Sequence, residues 1–530
     1  MDKATGKDVS DPTTLNNGVV APRSIASDLR DIAKGAGISL VGYVIFAVLE
    51  LVFQLLLAHT LGPAKVGIIG LANSIMAIAL VLAMFGFENT IVRFIGIYAG
   101  RGDQVRTAGV IVTGLRIVGT ASLVTSAIIF GLADLLAMRI YDTPALGSIL
   151  RILALSLPFA AIMSFLLSVT QGLKRMEYRV AIQKLAVPLL QIGGLIVVVF
   201  TVGPSTVGVA YAIAVAFIAG ALMAAIGVWR LYPLRGQGER PTLVARTMLA
   251  FSWPLLLTVI VERIWQETQL QILGAMTASE QVGIYYMGVR ITALLTAFLV
   301  TFATIFSPIM AELHSRQEQK QLGSLLQTVT KWGFGLCLPV FLFLFIFSEE
   351  VMLVLGPQFA AGSGVLRILA VSQLLHVGAG PVGWLLIMSG HPFLSLFNSL
   401  LILGINSTLA FLLIPNHGIL GAATSFALSM LLVSTLKLIE VYAILHIQPF
   451  NLNYLKPIAA GIFSVITTTG FGFIVSDLPL PGRTALSASF LVVMYVSALV
   501  FLKLDEDDKV IVDEFRQRLG HVVHSKVVTK

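Results

Sequence analysis

Six polar side chains stand together in one apolar stretch of membrane length: Glu262, Arg263, Gln266, Glu267, Gln269 and Gln271, within TLVARTMLAFSWPLLLTVIVERIWQETQLQILG at 242–274. Two carboxylates and a guanidinium can hold a cation, a proton or an anionic group, and three carboxamides can meet hydroxyls. A charged residue at the centre of a spanning helix costs about 2.5–3.5 kcal/mol on insertion, so three cost about 8–10, while each Leu or Ile returns only about 0.5. Such a helix is not wrapped in lipid. At about 100° per residue the six cover roughly half the helix circumference, with Val261, Ile264 and Trp265 opposite. The polar half is expected to line a wet cavity. The competing reading is a mutually satisfied patch, in which Arg263 and Glu267 pair at i, i+4 only to make the helix insertable.

Deep charges elsewhere extend the pattern. Glu50, Arg116, Arg263, Arg290 and Lys331 fall where snorkelling to an interface is hard, and four of these five are basic, which suits an anionic substrate. Equally, the basic groups can be buried partners of Glu50, Glu262 and Glu267. Lys184, Lys437 with Glu440, Arg151 and Arg367 lie nearer to helix ends and read as snorkelling side chains, and Glu88 and Arg93 as interface charges. His59, His376 and His391 are scattered, which speaks against a metal site. Trp265, Trp332 and Trp384 can stack on sugar rings or simply pack, and Pro158, Pro188, Pro254, Pro339 and Pro381 are expected to kink or shape their helices.

The elements that must position these groups follow from composition. The chain has 530 residues, 57% hydrophobic and only 12% charged, with a mean hydropathy of +0.92. That is an all-α polytopic membrane protein, because runs of about 20 apolar residues recur between short polar loops instead of the alternating segments of a barrel. Fourteen transmembrane helices are expected, at about 35–60, 66–92, 107–132, 147–171, 178–201, 206–229, 243–273, 281–311, 321–347, 363–388, 393–414, 419–445, 454–476 and 484–503. With the N-terminus inside, nearly all Lys and Arg of the loops fall on one side and only Lys65, Arg139 and Arg483 on the other. This places both termini in the cytoplasm and the protein in the cytoplasmic membrane. The formal charge of +8 therefore reports orientation, not nucleic acid. The single Cys337 excludes an internal disulfide and a cysteine metal cluster, and the polar residues 1–33 lack the h-region of a cleavable signal peptide.

The chain also repeats. GSILRILALS at 147–156 returns as GSGVLRILAVS at 362–372, LGPAKVG at 61–67 as LGAMTASEQVG at 273–283, and the Pro204 loop as the Pro415 loop. The expected division is a cytoplasmic tail at 1–33, an N-lobe of six spans at 34–229, a connector at 230–242, a C-lobe of six spans at 243–446, two further helices at 447–503 and a cytoplasmic tail at 504–530. Parallel repeats of this kind suit a transporter whose lobes rock about a site between them. Ile25, Leu29 and Ile32 before the first span, and Val510, Ile511, Phe515 and Leu519 in the C-terminal tail, are spaced for short amphipathic helices. No Walker loop, HExxH or GxSxG is present, and no sizeable extramembrane loop carries an acidic pair, so a transporter is expected and not an enzyme.

LLLAHTLGPAKVGIIGLANSI, GFENTIVRFIG, VLRILAVSQLLHVGAG, IMSGHP and LIPNHGILGAATSFALSMLL resemble the polysaccharide (O-antigen type) flippases of the multidrug/oligosaccharidyl-lipid/polysaccharide exporter superfamily, over about residues 33–500. The resemblance implies a V-shaped pair of six-helix lobes plus two C-terminal helices. It implies movement of a polyprenyl-pyrophosphate-linked oligosaccharide from the inner to the outer leaflet by alternating access, for O-antigen or other lipopolysaccharide-type surface polysaccharide biosynthesis. No cofactor and no ATP are implied; an ion gradient or the membrane potential drives it, with a coupling cation or proton, and polysaccharide assembly proteins are expected partners. On the residues themselves, Arg116, Arg263, Arg290 and Lys331 are candidate contacts for the pyrophosphate, and Gln266, Gln269 and Gln271 for sugar hydroxyls. Glu50, Glu262 and Glu267 would couple an ion or position the arginines. The alternatives are a lipid II flippase or a drug or metabolite antiporter of the same superfamily.

Overall fold

The computed structural model describes residues 25–232, 245–475 and 479–502; the expected connector and most of both tails, with Val510, Ile511, Phe515 and Leu519, lie outside the described residues. Every regular element among the described residues is helical. The N-terminal half holds α1 (Ile25–Met84), α2 (Phe87–Gly100), α3 (Gln104–Leu135), α4 (Pro144–Gly172), α5 (Met176–Arg179), α6 (Val187–Thr201) and α7 (Thr206–Leu231). In the C-terminal half stand α8 (Ala245–Met276), α9 (Ser279–Ser315), α10 (Gln319–Ile346), α11 (Ser348–Leu355), α12 (Ser363–Gly378), α13 (Val382–Met388) and α14 (Pro392–Leu445). The last two helices are α15 (Leu455–Ile474) and α16 (Leu480–Phe501). Eleven helical stretches of the described residues are long and apolar enough to cross a membrane.

Local chemistry sets the breaks. The two longest helices each bend at a glycine, Gly62 (φ 71°) and Gly418 (φ 53°), beside Pro63 and after Pro415. Only glycine takes these backbone angles without a Cβ clash. Asp103 caps α3 by accepting from the Arg106 amide at 2.9 Å, and Ser205 caps α7 by accepting from that of Gly208 at 3.2 Å. The run expected at 66–92 is interrupted at Phe85 and Gly86, both at positive φ, and the run at 363–388 at Gly380 and Pro381 between α12 and α13. Helices continue through Pro158, Pro254 and Pro339, whereas Pro188 takes the first turn of α6, where its missing N–H costs nothing. Between α5 and α6 the chain winds as a π-helix, Val180–Ala186.

Within each half α4 packs on α3 and α7, and α14 on α8 and α12, while α15 pairs with α16 and rests on α10. The halves meet mainly where α1 lies along α9. Two glycines make that approach: a Cβ on Gly67 would stand 1.9 Å from the Ser279 carbonyl oxygen, and one on Gly283 1.9 Å from that of Pro63. A second meeting lies at the α1–α2 junction, where a Cβ on Gly86 would reach the Ser252 carbonyl at 2.4 Å. There the Thr90 and Ser252 hydroxyls are 2.9 Å apart, and the Arg93 guanidinium lies 4.4 Å from the centre of the Phe251 ring. Glu88 pairs with Arg179, so Glu88 and Arg93 serve different partners. Arg151 is paired with Asp134, and Arg367 donates to Ser348 at 2.6 Å.

Candidate functional site

The polar run of α8 points in three directions. Arg263 and Glu267 pair at 3.5 Å, the guanidinium side chain 40% exposed and the carboxylate 17%, so the cation faces solvent over a tucked acid. Gln266 is exposed and Glu262 half-buried. Gln269 is only 1% exposed; its amide donates to Asn406 of α14, whose own amide donates to the Trp265 carbonyl at 3.2 Å. Gln271 turns to the other half, where its amide donates to Ser74 at 2.8 Å and its carbonyl accepts from Tyr141. Burial pushes the Tyr141 phenol up to about 12, so it remains a donor at neutral pH.

Arg290, on α9, is exposed to solvent. Its guanidinium stands 4.8 Å from the centre of the Tyr286 ring, and it lies within electrostatic range of Glu267 from its own half and Glu50 from the other. Glu50 is half-buried on α1 and accepts from Gln54 at 2.8 Å. Arg290 thus lies within electrostatic range of an acid from each half, Glu50 and Glu267, and Arg263 stands beside Glu267. Two solvent-reached guanidiniums, Arg263 paired with Glu267 and Arg290 set beside Tyr286, can take a dianion by paired hydrogen bonds.

Lys331 and Arg116 stand differently. Lys331 is 7% exposed on α10 and held by partners within the fold. Arg116 is exposed on α3 and forms no ion pair among the described residues. Gln271 is bonded at both ends of its carboxamide, and Gln269 is buried, its amide donating to Asn406 while its Oε1 has no hydrogen-bond partner among the described residues. Of the expected contacts, Arg263, Arg290 and Gln266 are therefore the ones that face solvent with the acids around them.

Lys437, expected with Glu440 as a snorkelling side chain near a helix end, has neighbours that its place in the sequence did not show. It lies within electrostatic range of Glu262 and Glu440, its ammonium 3.4 Å from where a Cβ on Gly383 would stand. Glu440 accepts from Asn398 at 2.6 Å, and His376 meets Ser434 at 3.3 Å. Lys184 is likewise no snorkelling side chain: it stands 4.0 Å from the centre of the Phe46 ring, within range of Glu50. One signal for both was present. Glu50 with Gln54 and Glu262 with Gln266 occupy the same places before Leu61-Gly62 and Leu273-Gly274, and an aromatic, Phe53 or Trp265, precedes each glutamine.

Residues 32–314, more than half of the chain, match the family model described as Polysaccharide biosynthesis protein. The chain is 28% identical over 203 residues to the protein named Probable low-salt glycan biosynthesis flippase Agl15 of Haloferax volcanii, a match spanning 38% of this chain and 43% of that one. It is 24% identical over 517 residues to Stage V sporulation protein B of Bacillus subtilis, covering 90% of this chain and 96% of that one. Among solved structures, the lipid II flippase MurJ in an inward closed conformation superposes with a TM-score of 0.70 over 87% of this chain and 98% of that one, at 11% identity. That last likeness speaks for the fold alone. The described helices, the family match and these relatives agree on one assignment: the chain is a multi-pass membrane protein and belongs to the polysaccharide biosynthesis protein family.

Proposed function

We propose that the protein is a flippase that carries a polyprenyl-pyrophosphate-linked oligosaccharide from the inner to the outer leaflet of the cytoplasmic membrane. The carrying observation is Arg290, a solvent-exposed cation within electrostatic range of Glu50 from one half and Glu267 from the other, which in this reading marks a recess between the halves. A pyrophosphate entering this recess meets Arg290 and Arg263, the glycan meets Gln266, and the prenyl tail remains in lipid. In this reading the chain crosses the membrane fourteen times, α1 and α14 each contributing two spans across their glycine bends, with both termini in the cytoplasm. The two six-span lobes exchange access by rocking, and the contact of Gly67 with Gly283 closes the outer side. Glu50, Glu262 and Glu267 hold the arginines and exchange a cation or proton as the lobes move.

Depletion of the protein followed by mass spectrometry of extracted lipids tests the reading. A build-up of polyprenyl-pyrophosphate oligosaccharide on the cytoplasmic leaflet, with loss of the surface polymer, is the expected result and names the glycan. An unchanged lipid pool with altered efflux of small molecules would favour an antiporter. Accumulation of lipid II would move the assignment to that substrate, which shares the pyrophosphate and so the same arginines.

A further inference from the structure

A second cavity lies inside the N-terminal half, separate from the recess at Arg290. It encloses 230 Å³ between α1, α4, the π-helix, α6 and α7. Its polar wall is Glu50, Ser164, Gln183, Lys184 and Gln191, and its apolar wall includes Phe46 and Phe217. The chain at Val180–Ala186, wound as a π-helix, presents Gln183 and Lys184 to this space; such windings recur at functional sites. Arg179 pins the start of that winding by bonds to Glu88 of α2 and Gln171 of α4, and donates to Gln183 at 3.1 Å. Glu50 belongs to both spaces: it lines this cavity beside Lys184 and lies within electrostatic range of Arg290 across the halves.

The chemistry differs from that of the recess. One carboxylate and one ammonium cancel in formal charge, so the cavity has no net preference for an anion. Two carboxamides, a hydroxyl and the two ions instead offer donors and acceptors on several sides of a small volume, with aromatic rings for the apolar face of the guest. That volume is below the range of about 300–1,000 Å³ usual for drug-sized ligands, so it takes one ring and not a chain of them. We infer that this cavity is a subsite for a single neutral sugar ring of the lipid-linked glycan, the ring next to the pyrophosphate, with Glu50 at the boundary between the sugar and phosphate subsites. The inference rests on the proposed substrate class and adds to it a place where glycan identity is read.

Binding of two probes to the purified full-length protein tests it: farnesyl diphosphate, and farnesyl diphosphate carrying one N-acetylglucosamine. The wild-type protein is expected to bind the sugar-bearing probe about tenfold more tightly, the worth of one or two hydrogen bonds. In Gln191→Leu, and in the smaller change Ser164→Ala, that ratio falls towards one. Equal affinity of the wild type for both probes, or a variant that weakens both in the same proportion, overturns the subsite while leaving the arginine recess standing. Failure of the folded wild type to bind either probe overturns the pyrophosphate reading itself, and the subsite with it.

Discussion

Two glutamates at equivalent places in the repeat have come to different surroundings. Glu50 of α1 lines a 230 Å³ cavity with Lys184 and looks across to Arg290. Its counterpart Glu262 of α8 is half-buried and within electrostatic range of Lys437, which is also in range of Glu440, and Asn398 donates to Glu440 at 2.6 Å. Each pairs an acid with a lysine from a distant helix. In the N-terminal half the acid and lysine line a cavity, and in the C-terminal half the lysine is shared with a second carboxylate, Glu440. The same sequence device can thus serve recognition in one half and cohesion in the other, and packing decides which.

The largest effect is expected where the halves touch most closely. Gly67→Val places side-chain atoms against the Ser279 carbonyl, in a space where even a Cβ would stand at 1.9 Å, and no flexible group is there to give way. Transport should be lost while the protein still accumulates in the membrane, and a disulfide between Thr143→Cys and Ser279→Cys, whose hydroxyls stand 3.4 Å apart across the halves, should form without the valine and no longer form with it. Ready cross-linking in the valine background would show that the glycine contact does not govern closure. Next in size, Arg290→Ala removes hydrogen bonds from a charged group, worth about 1.5–3 kcal/mol, and should lower the translocation rate in proteoliposomes about 10- to 100-fold. Arg263→Ala should act in the same direction with normal insertion.

The contrast between the two lysines is sharpened by paired variants. Lys437→Met leaves the half-buried Glu262 and Glu440 without their shared cation, at a cost of about 1 kcal/mol; the thermal midpoint in detergent should fall. Lys184→Met borders a cavity that water can enter, so its midpoint should fall less while its transport falls more. The reverse order would assign cohesion to the N-terminal pair and function to the C-terminal one. Smallest is Gln271→Leu, which removes the bonds to Ser74 and Tyr141 and should shift the open–closed equilibrium by about tenfold, read from the rate of cross-linking between Thr143→Cys and Ser279→Cys.

The all-helical membrane fold was legible because apolar runs and short loops leave no other solution, and the glycine bends fall at the loops Leu61-Gly62 and Asn416–Gly418 that separate expected spans. The polar face of α8 was legible as a whole but not in its parts. Helical spacing gives the direction of Gln269 and Gln271 about the axis, yet their partners Asn406, Ser74 and Tyr141 come from distant segments. Lys331 looked like a cavity cation because depth was the only guide; its burial depends on what surrounds α10. Lys437 looked like an end-of-helix cation because its place in α14 was visible and the closeness of α8 and α13 was not.

The most direct test of the central claim is complementation of a depleted strain with Arg290→Ala, following lipid-linked oligosaccharide on the cytoplasmic leaflet at equal membrane levels of protein. The account predicts that the lipid accumulates as in the depleted strain, and that Arg290→Lys, which keeps the charge and loses the paired donors, restores only part of the clearance. Clearance by Arg290→Ala at the wild-type rate would contradict it.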